Sequence, residues 1–146
     1  MSSFTIECPD LLTCGPVIDV EIAVPKGLAK ILYREKEPVP RPITVSALID
    51  TGATRTVVSS NVIKSLNLVP HDQTKVITAT HDNIVAYHHH LSVTLPGGCV
   101  FELSDAVELP LINHGIECLV GREILKHGIF TYDGRATKIS FHIVPP

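Results

Sequence analysis

Asp50 is the residue of this chain whose setting most suggests chemistry. An apolar run, Ala47-Leu48-Ile49, ends abruptly in it. Thr51 and Gly52 follow, and the chain turns apolar again at Val57-Val58. A carboxylate between two strand-like runs is costly to bury unless it is hydrogen-bonded or paired. Such a residue is a turn or capping group, or a reactive one. Gly52 lets the backbone turn tightly and approach another group closely. Asp-Thr-Gly alone is also ordinary turn composition, so its meaning depends on the surrounding chain. Here apolar residues flank it on both sides and Ala53 follows directly.

Three other sets of residues could carry chemistry. His88, His89 and His90 are consecutive. On a strand His88 and His90 share a face, and neutral imidazoles are common transition-metal ligands. No carboxylate or cysteine completes a set nearby in sequence, and Ser92 and Thr94 give that face a solvated character. No metal is therefore expected. Cys8, Cys14, Cys99 and Cys118 show no Cys-x-x-Cys spacing, which argues against a zinc site. Cys118 lies in an apolar run and reads as a small core residue. His71, His114, His127 and His142 are scattered, and Arg34-Glu35-Lys36-Glu37 reads as a solvated stretch.

The elements that must position Asp50 are mostly strands. Residues 17–24 alternate, with Ile18, Val20, Ile22 and Val24 as the buried face. Pro25 ends that strand. Residues 26–41, with Pro38 and Pro40, are expected as a surface loop, and residues 1–15 as a poorly defined N-terminal segment. Residues 43–49 form the strand leading into Asp50, and 56–58 a second short one. Ser59 or Ser60 can cap a short helix through Leu66, with Val62, Ile63 and Leu66 inward. Residues 74–79 and 84–95 read as two strands around a polar turn at His81-Asp82-Asn83. Further strands are expected at 99–103, 106–109 and 116–120. A short helix is expected at 122–126, stopped by Gly128. Strands at 129–132 and 137–144 flank Asp133-Gly134, a hairpin signal. Short strands with frequent turn signals indicate an all-β domain.

A second motif changes the weight of the first. Cys118-Leu119-Val120-Gly121-Arg122-Glu123-Ile124-Leu125 stands downstream, its Gly121 71 residues after Asp50 (121 minus 50), with a hairpin between. The two motifs in this order resemble the retropepsin-like aspartic proteases, the group that includes retroviral proteases and their cellular relatives. The resemblance covers about residues 17–143. It implies a retropepsin-like closed β-barrel or sandwich with a flap hairpin and one or two short helices, assembled as a homodimer. It implies catalysis by Asp50, loop support by Thr51, Gly52 and Ala53, and a structural role for Gly121 and Arg122. Thr51 would bond across to its partner loop. Thr80, His81, Asp82 and Asn83 would stand near the flap tip.

The chemistry agrees with a dimer. Aspartic-protease catalysis needs two carboxylates sharing one proton: one takes a proton from water, the other donates to the carbonyl oxygen of the scissile peptide. Two like charges roughly 3 Å apart cannot both ionise, so the pair titrates as a unit. Asp-Thr-Gly occurs once, so a second copy must supply the second carboxylate. The chain also departs from the family. Retroviral members often carry acidic residues just after the Ala, and these pair with the Arg of the second motif. Here Thr54 and Arg55 stand there, which leaves Arg122 without that acidic partner.

Composition bounds the rest. At 146 residues the chain is expected to form one domain, residues 1–146. Hydrophobic content of 45% against 18% charged residues excludes a disordered chain. A formal net charge of −3 gives no sign of a nucleic-acid partner. Apolar runs of only a few residues predict no membrane span. The N-terminus lacks the basic start and apolar core of a signal peptide, so a cytoplasmic protein is expected. The resulting expectation is an aspartic endopeptidase without cofactor, acting on a peptide or protein substrate. The alternative is an inactive dimer of the same fold that binds peptides or serves assembly.

Overall fold

Apolar alternation builds most of the strands. The computed structural model describes residues 3–76, 84–111 and 115–146. Its elements run β1 (Ser3–Glu7), α1 (Leu11–Cys14), β2 (Val17–Ala23), α2 (Lys26–Arg34), β3 (Ile43–Ile49), β4 (Val57–Ser59) and α3 (Ser60–Ser65). Then come β5 (Asp72–Val76), β6 (Ile84–Thr94), β7 (Val100–Leu109), β8 (Ile116–Val120), α4 (Arg122–Leu125), β9 (Gly128–Asp133) and β10 (Lys138–Ile143).

Six strands close on themselves in the order β2-β3-β8-β4-β7-β6, with β2 pairing back onto β6 through Glu21↔Thr94, Ile22↔Val93 and Ala23↔Ser92. Closure leaves these strands little open edge. β3 runs parallel to β8, and β4 parallel to β7. The interior holds the expected face of β2, Ile18, Val20 and Ile22, with Val45, Ala47, Ile49, Val58, Leu91, Val93, Cys118 and Val120. Each fully buried large apolar side chain contributes roughly 1.5–3 kcal/mol. α3 turns Val62 and Ile63 inward, with Leu66 just beyond it, as the sequence predicts. β5 pairs with the first half of β6, outside the ring.

A second sheet, β1-β10-β9, joins the two ends of the chain. Ile139 and Phe141 are buried beneath it, and the Phe4 ring meets Phe141 at 6.2 Å between centroids. The segment 1–15 is therefore more ordered than expected: β1 pairs in register with β10 through Phe4↔Phe141 and Ile6↔Ile139. Its alternation is short, and its partner is remote in sequence.

Three further expectations are corrected. The stretch 26–41 begins as helix α2, not as a loop. Leu28, Ala29, Ile31 and Leu32 recur at helical spacing, and none of the nine residues is fully buried, so the helix lies on the surface. Short helices number four among the described residues, not one or two. Residues 99–103 and 106–109 belong to one strand, β7. Its register against β6 shifts between His89↔Ala106 and Leu91↔Leu103, so Ser104 and Asp105 stand opposite the single residue His90. That extra residue is a β-bulge. It interrupts the alternation without ending the strand. No helix among the described residues is long and apolar enough to cross a membrane.

Candidate active site

β3 delivers Asp50 to the end of the barrel, where its backbone N–H donates to Val120 O at 2.9 Å. The loop then folds back on the carboxylate. Gly52 N–H donates to Asp50 Oδ1 at 2.8 Å, and Ala53 N–H to Asp50 O at 3.2 Å. A Cβ on Gly52 would stand 3.1 Å from that same Oδ1, so glycine gives the carboxylate its room. Asp50 is half-buried. One oxygen is held by its own loop, and Oδ2 has no hydrogen-bond partner among the described residues. The Thr51 side chain is exposed.

The second motif clamps the first. Gly121 packs so closely that a Cβ there would lie 2.5 Å from both the C and the O of Arg55. Its N–H donates to the buried Thr56 Oγ1 at 3.1 Å. Arg122 N–H donates to Ala53 O at 2.8 Å. Its guanidinium forks, Nη1 to Thr51 O at 2.8 Å and Nη2 to Thr54 Oγ1 at 3.0 Å. The planar fork suits two fixed acceptors on one loop. Neutral oxygens thus replace the acidic partner that the sequence lacks. Arg122 opens α4, and its guanidinium bonds the loop that carries Asp50.

Sequence reasoning missed three residues here. Glu123 accepts a hydrogen bond from the buried Thr56 N–H and faces Arg55 Nη1 at 3.5 Å. Thr54 and Thr56 supply the hydroxyls that Arg122 and Gly121 use. The only signal was the inverted charge pattern, a basic residue after Asp-Thr-Gly-Ala-Thr and an acid beside Arg122. Pairing the two requires knowing that the loops touch.

The histidines fall into two groups. His89 is buried. Its Nε2 bonds Glu108 Oε1 at 2.7 Å, and its Nδ1 has no partner among the described residues. His88 Nδ1 bonds Asp105 Oδ1 at 2.6 Å, whereas the His90 ring lies against that of His71, tilted by 35° with centroids 4.3 Å apart. No group of three or more His, Cys, Asp or Glu among the described residues is arranged to hold a metal ion. Cys118 is fully buried, and burial pushes its thiol up to about 12. The expected flap residues Thr80, His81, Asp82 and Asn83 lie outside the described residues. A cavity of about 710 Å³ lies between the N-terminal segment and β3, lined by Cys8, Asp10, Cys14, Leu48 and Ile116 among others, but not by Asp50.

A family model described as gag-polyprotein putative aspartyl protease matches residues 42–127, which include both motifs. The structure is similar to that of a retropepsin-like aspartic protease from Rickettsia conorii, with 14% identity and a TM-score of 0.56 over 95% of this chain and 89% of that one. It is also similar to the retroviral protease-like domain of Ddi1 from Leishmania major, with 12% identity and a TM-score of 0.46 over 88% of this chain and 94% of that one. No curated protein matches the sequence. The fold shared with the first of these is a retropepsin-like closed barrel.

Proposed function

Because the chain belongs to the gag-polyprotein putative aspartyl protease family, we propose that it is an aspartic endopeptidase whose working unit is a homodimer. Two Asp50 carboxylates, one from each chain, would meet across a twofold axis. One carboxylate takes a proton from water as the water oxygen attacks the scissile carbonyl carbon. The other donates its proton to the carbonyl oxygen. The resulting gem-diol collapses, its C–N bond breaks, the leaving nitrogen takes a proton, and the pair returns to its singly protonated state.

The carrying observation is the state of the Asp50 loop. Its carboxylate is half-buried, with one oxygen fixed by Gly52 N–H, and the loop is clamped by Arg122 and Gly121. Such a group is held still without being consumed by an ion pair. That is preorganisation for proton transfer. A surface turn would not need the clamp. The exposed Thr51 side chain supports a role in tying the partner loop. Thr51, Gly52 and Ala53 act as loop support, and Gly121 and Arg122 as the structural second motif. The substrate would be an extended peptide bound by strand-like hydrogen bonds.

The test is a proteome-wide cleavage assay comparing wild type with Asp50→Asn. New termini should arise with wild type alone. Equal cleavage by both proteins would exclude Asp50 as the catalytic group. A wild type that binds peptides without cutting them would establish the inactive binding dimer instead.

A further inference from the structure

The bulge in β7 has a structural product. It keeps Leu103 and Ala106 both inward and puts Ser104 and Asp105 both outward. Bulges commonly re-aim a side chain in this way. The Asp105 carboxylate then meets groups from three other stretches. Its Oδ1 accepts from His88 Nδ1–H of β6 at 2.6 Å and lies 3.8 Å from Nε2 of His71, just before β5. Its Oδ2 lies 3.6 Å from Nη2 of Arg55, on the stretch that follows the Asp50 turn. Ser104 O bonds His71 Nε2 at 2.9 Å; a carbonyl only accepts, so that nitrogen carries hydrogen. On the far side of His88, Nε2 pairs with Thr74 Oγ1 of β5 at 2.9 Å. Beyond Arg55 stands Glu123, which holds Thr56 N–H. One polar chain therefore runs Thr74–His88–Asp105–Arg55–Glu123–Thr56.

We propose that Asp105 is a positioning residue that braces the β5–β6 pair against the loop carrying Asp50, and that the brace tightens when the histidines around it take up a proton. The charges that face the brace decide the sign. Arg55 is cationic, and Asp105 and Glu123 are anionic. Asp72, on β5, turns its carboxylate onto Gln73 N–H. With neutral imidazoles, Arg55, Asp105 and Glu123 sum to −1. One proton shared among His71, His88 and His90 brings the cluster to zero and turns a hydrogen bond to Asp105 into a charge-assisted one. A second proton on the adjacent His71–His90 pair would add repulsion at 4.3 Å. Histidine is the side chain that ordinarily changes charge in the weakly acidic to neutral range. The brace should therefore hold best in weak acid. The inference rests on the proteolytic reading only for its effect on turnover; the brace itself does not depend on that reading.

The experiment is hydrogen exchange of the β5 backbone amides at about pH 8 and pH 6, corrected for intrinsic rates, in wild type, Asp105→Asn and Asp105→Glu. Asp105→Asn keeps an acceptor for His88 and removes the charge. It lies on a partly exposed side chain, and a thermal melt checks that the fold is kept. Protection in wild type should be several-fold higher at pH 6 than at pH 8. Asp105→Asn should lose that pH dependence and, at pH 6, exchange about tenfold faster. Asp105→Glu should recover part of both. Equal protection in wild type and Asp105→Asn at both pH values would overturn the proposal. On a peptide that the wild type cuts, Asp105→Asn should alter the pH profile of kcat/KM without the total loss expected of Asp50→Asn. A wild type that cuts nothing would remove the proteolytic reading and leave the exchange result to decide on the brace.

Discussion

Gly121 is where the two motifs touch, and nothing larger fits there. Gly121→Ala would drive a methyl group into the Arg55 carbonyl and disturb the bond to Thr56 Oγ1. Thermal unfolding should show a loss of about 3 kcal/mol, the upper range for overpacking a tight site. Gly27→Ala is the control. Its Cβ would meet nothing within 4 Å, in the first turn of α2, so it should gain about 0.5 kcal/mol. Cys118 gives a prediction in alkali. Burial raises its thiol from 9.0 to about 12, so the folded state keeps a proton that the unfolded state releases. Its stabilising contribution is whole below 9, falls as pH rises from there, and stops falling near 12. Urea unfolding at pH 8 and pH 10 should show a loss of roughly 1 kcal/mol that Cys118→Ala does not show. For the proposed pair of Asp50 groups, turnover should follow a bell in pH. It falls in acid as the pair takes a second proton and in base as it loses the last one. A pH–rate series on a cleaved peptide checks this, and a metal requirement would contradict it.

At the scale of elements, α4 is tied to the Asp50 loop through its second residue. The Glu123 carboxylate holds the N–H of the fully buried Thr56. Glu123→Ala should leave that N–H without a partner and cost about 1–3 kcal/mol. Glu123→Gln keeps an acceptor and should cost less than half as much, because the contact to Arg55 is long and Arg55 is half-exposed. Chemical denaturation of both variants tests the ranking; equal losses would mean that the ionic contact with Arg55, and not the bond to Thr56, stabilises the element. β7 teaches a related lesson. Ser104-Asp105 looks like the end of one strand and the start of another. A bulge instead lets the strand continue with its inward phase restored.

At the scale of the whole molecule, the terminal sheet bears on how two copies would join. In this fold β10 lies between β1 and β9, so both of its edges are already hydrogen-bonded. A partner strand must use another edge. β9 offers one: Gly128–Asp133 carries neither Pro nor Lys along its length, and Ile129 and Tyr132 are largely exposed. Edges lacking such blocking residues are prone to pair with another chain. Ile129→Lys should therefore weaken the proposed dimer about tenfold or more in sedimentation equilibrium and lower activity in parallel, while the monomer stays folded. Unchanged association would move the interface to another surface. If one site needs both chains, excess Asp50→Asn protein should suppress wild-type turnover beyond simple dilution.

Much of this was legible along the chain. The alternation of β2, the strand into Asp50, the inward residues of α3 and the pairing of Asp-Thr-Gly with a later Gly-Arg can all be read within windows of a few residues. Alternation and turn chemistry are local properties, so the sequence alone specifies an all-β chain with one Asp-Thr-Gly turn and a later Gly-Arg motif. Other features needed the tertiary structure. β1 is a strand because Phe4 and Ile6 meet Phe141 and Ile139, more than a hundred residues away. α2 went unread although Leu28, Ala29, Ile31 and Leu32 recur at helical spacing, because the charged run and the prolines that follow it make the whole stretch look like a solvated loop. Arg122 found neutral acceptors, and Arg55 found Glu123 and Asp105, only once closure of the barrel brought the two loops and β7 together. Hydrogen bonds and ion pairs act over a few ångströms in space, and register between remote strands, not spacing along the chain, decides which groups come that close.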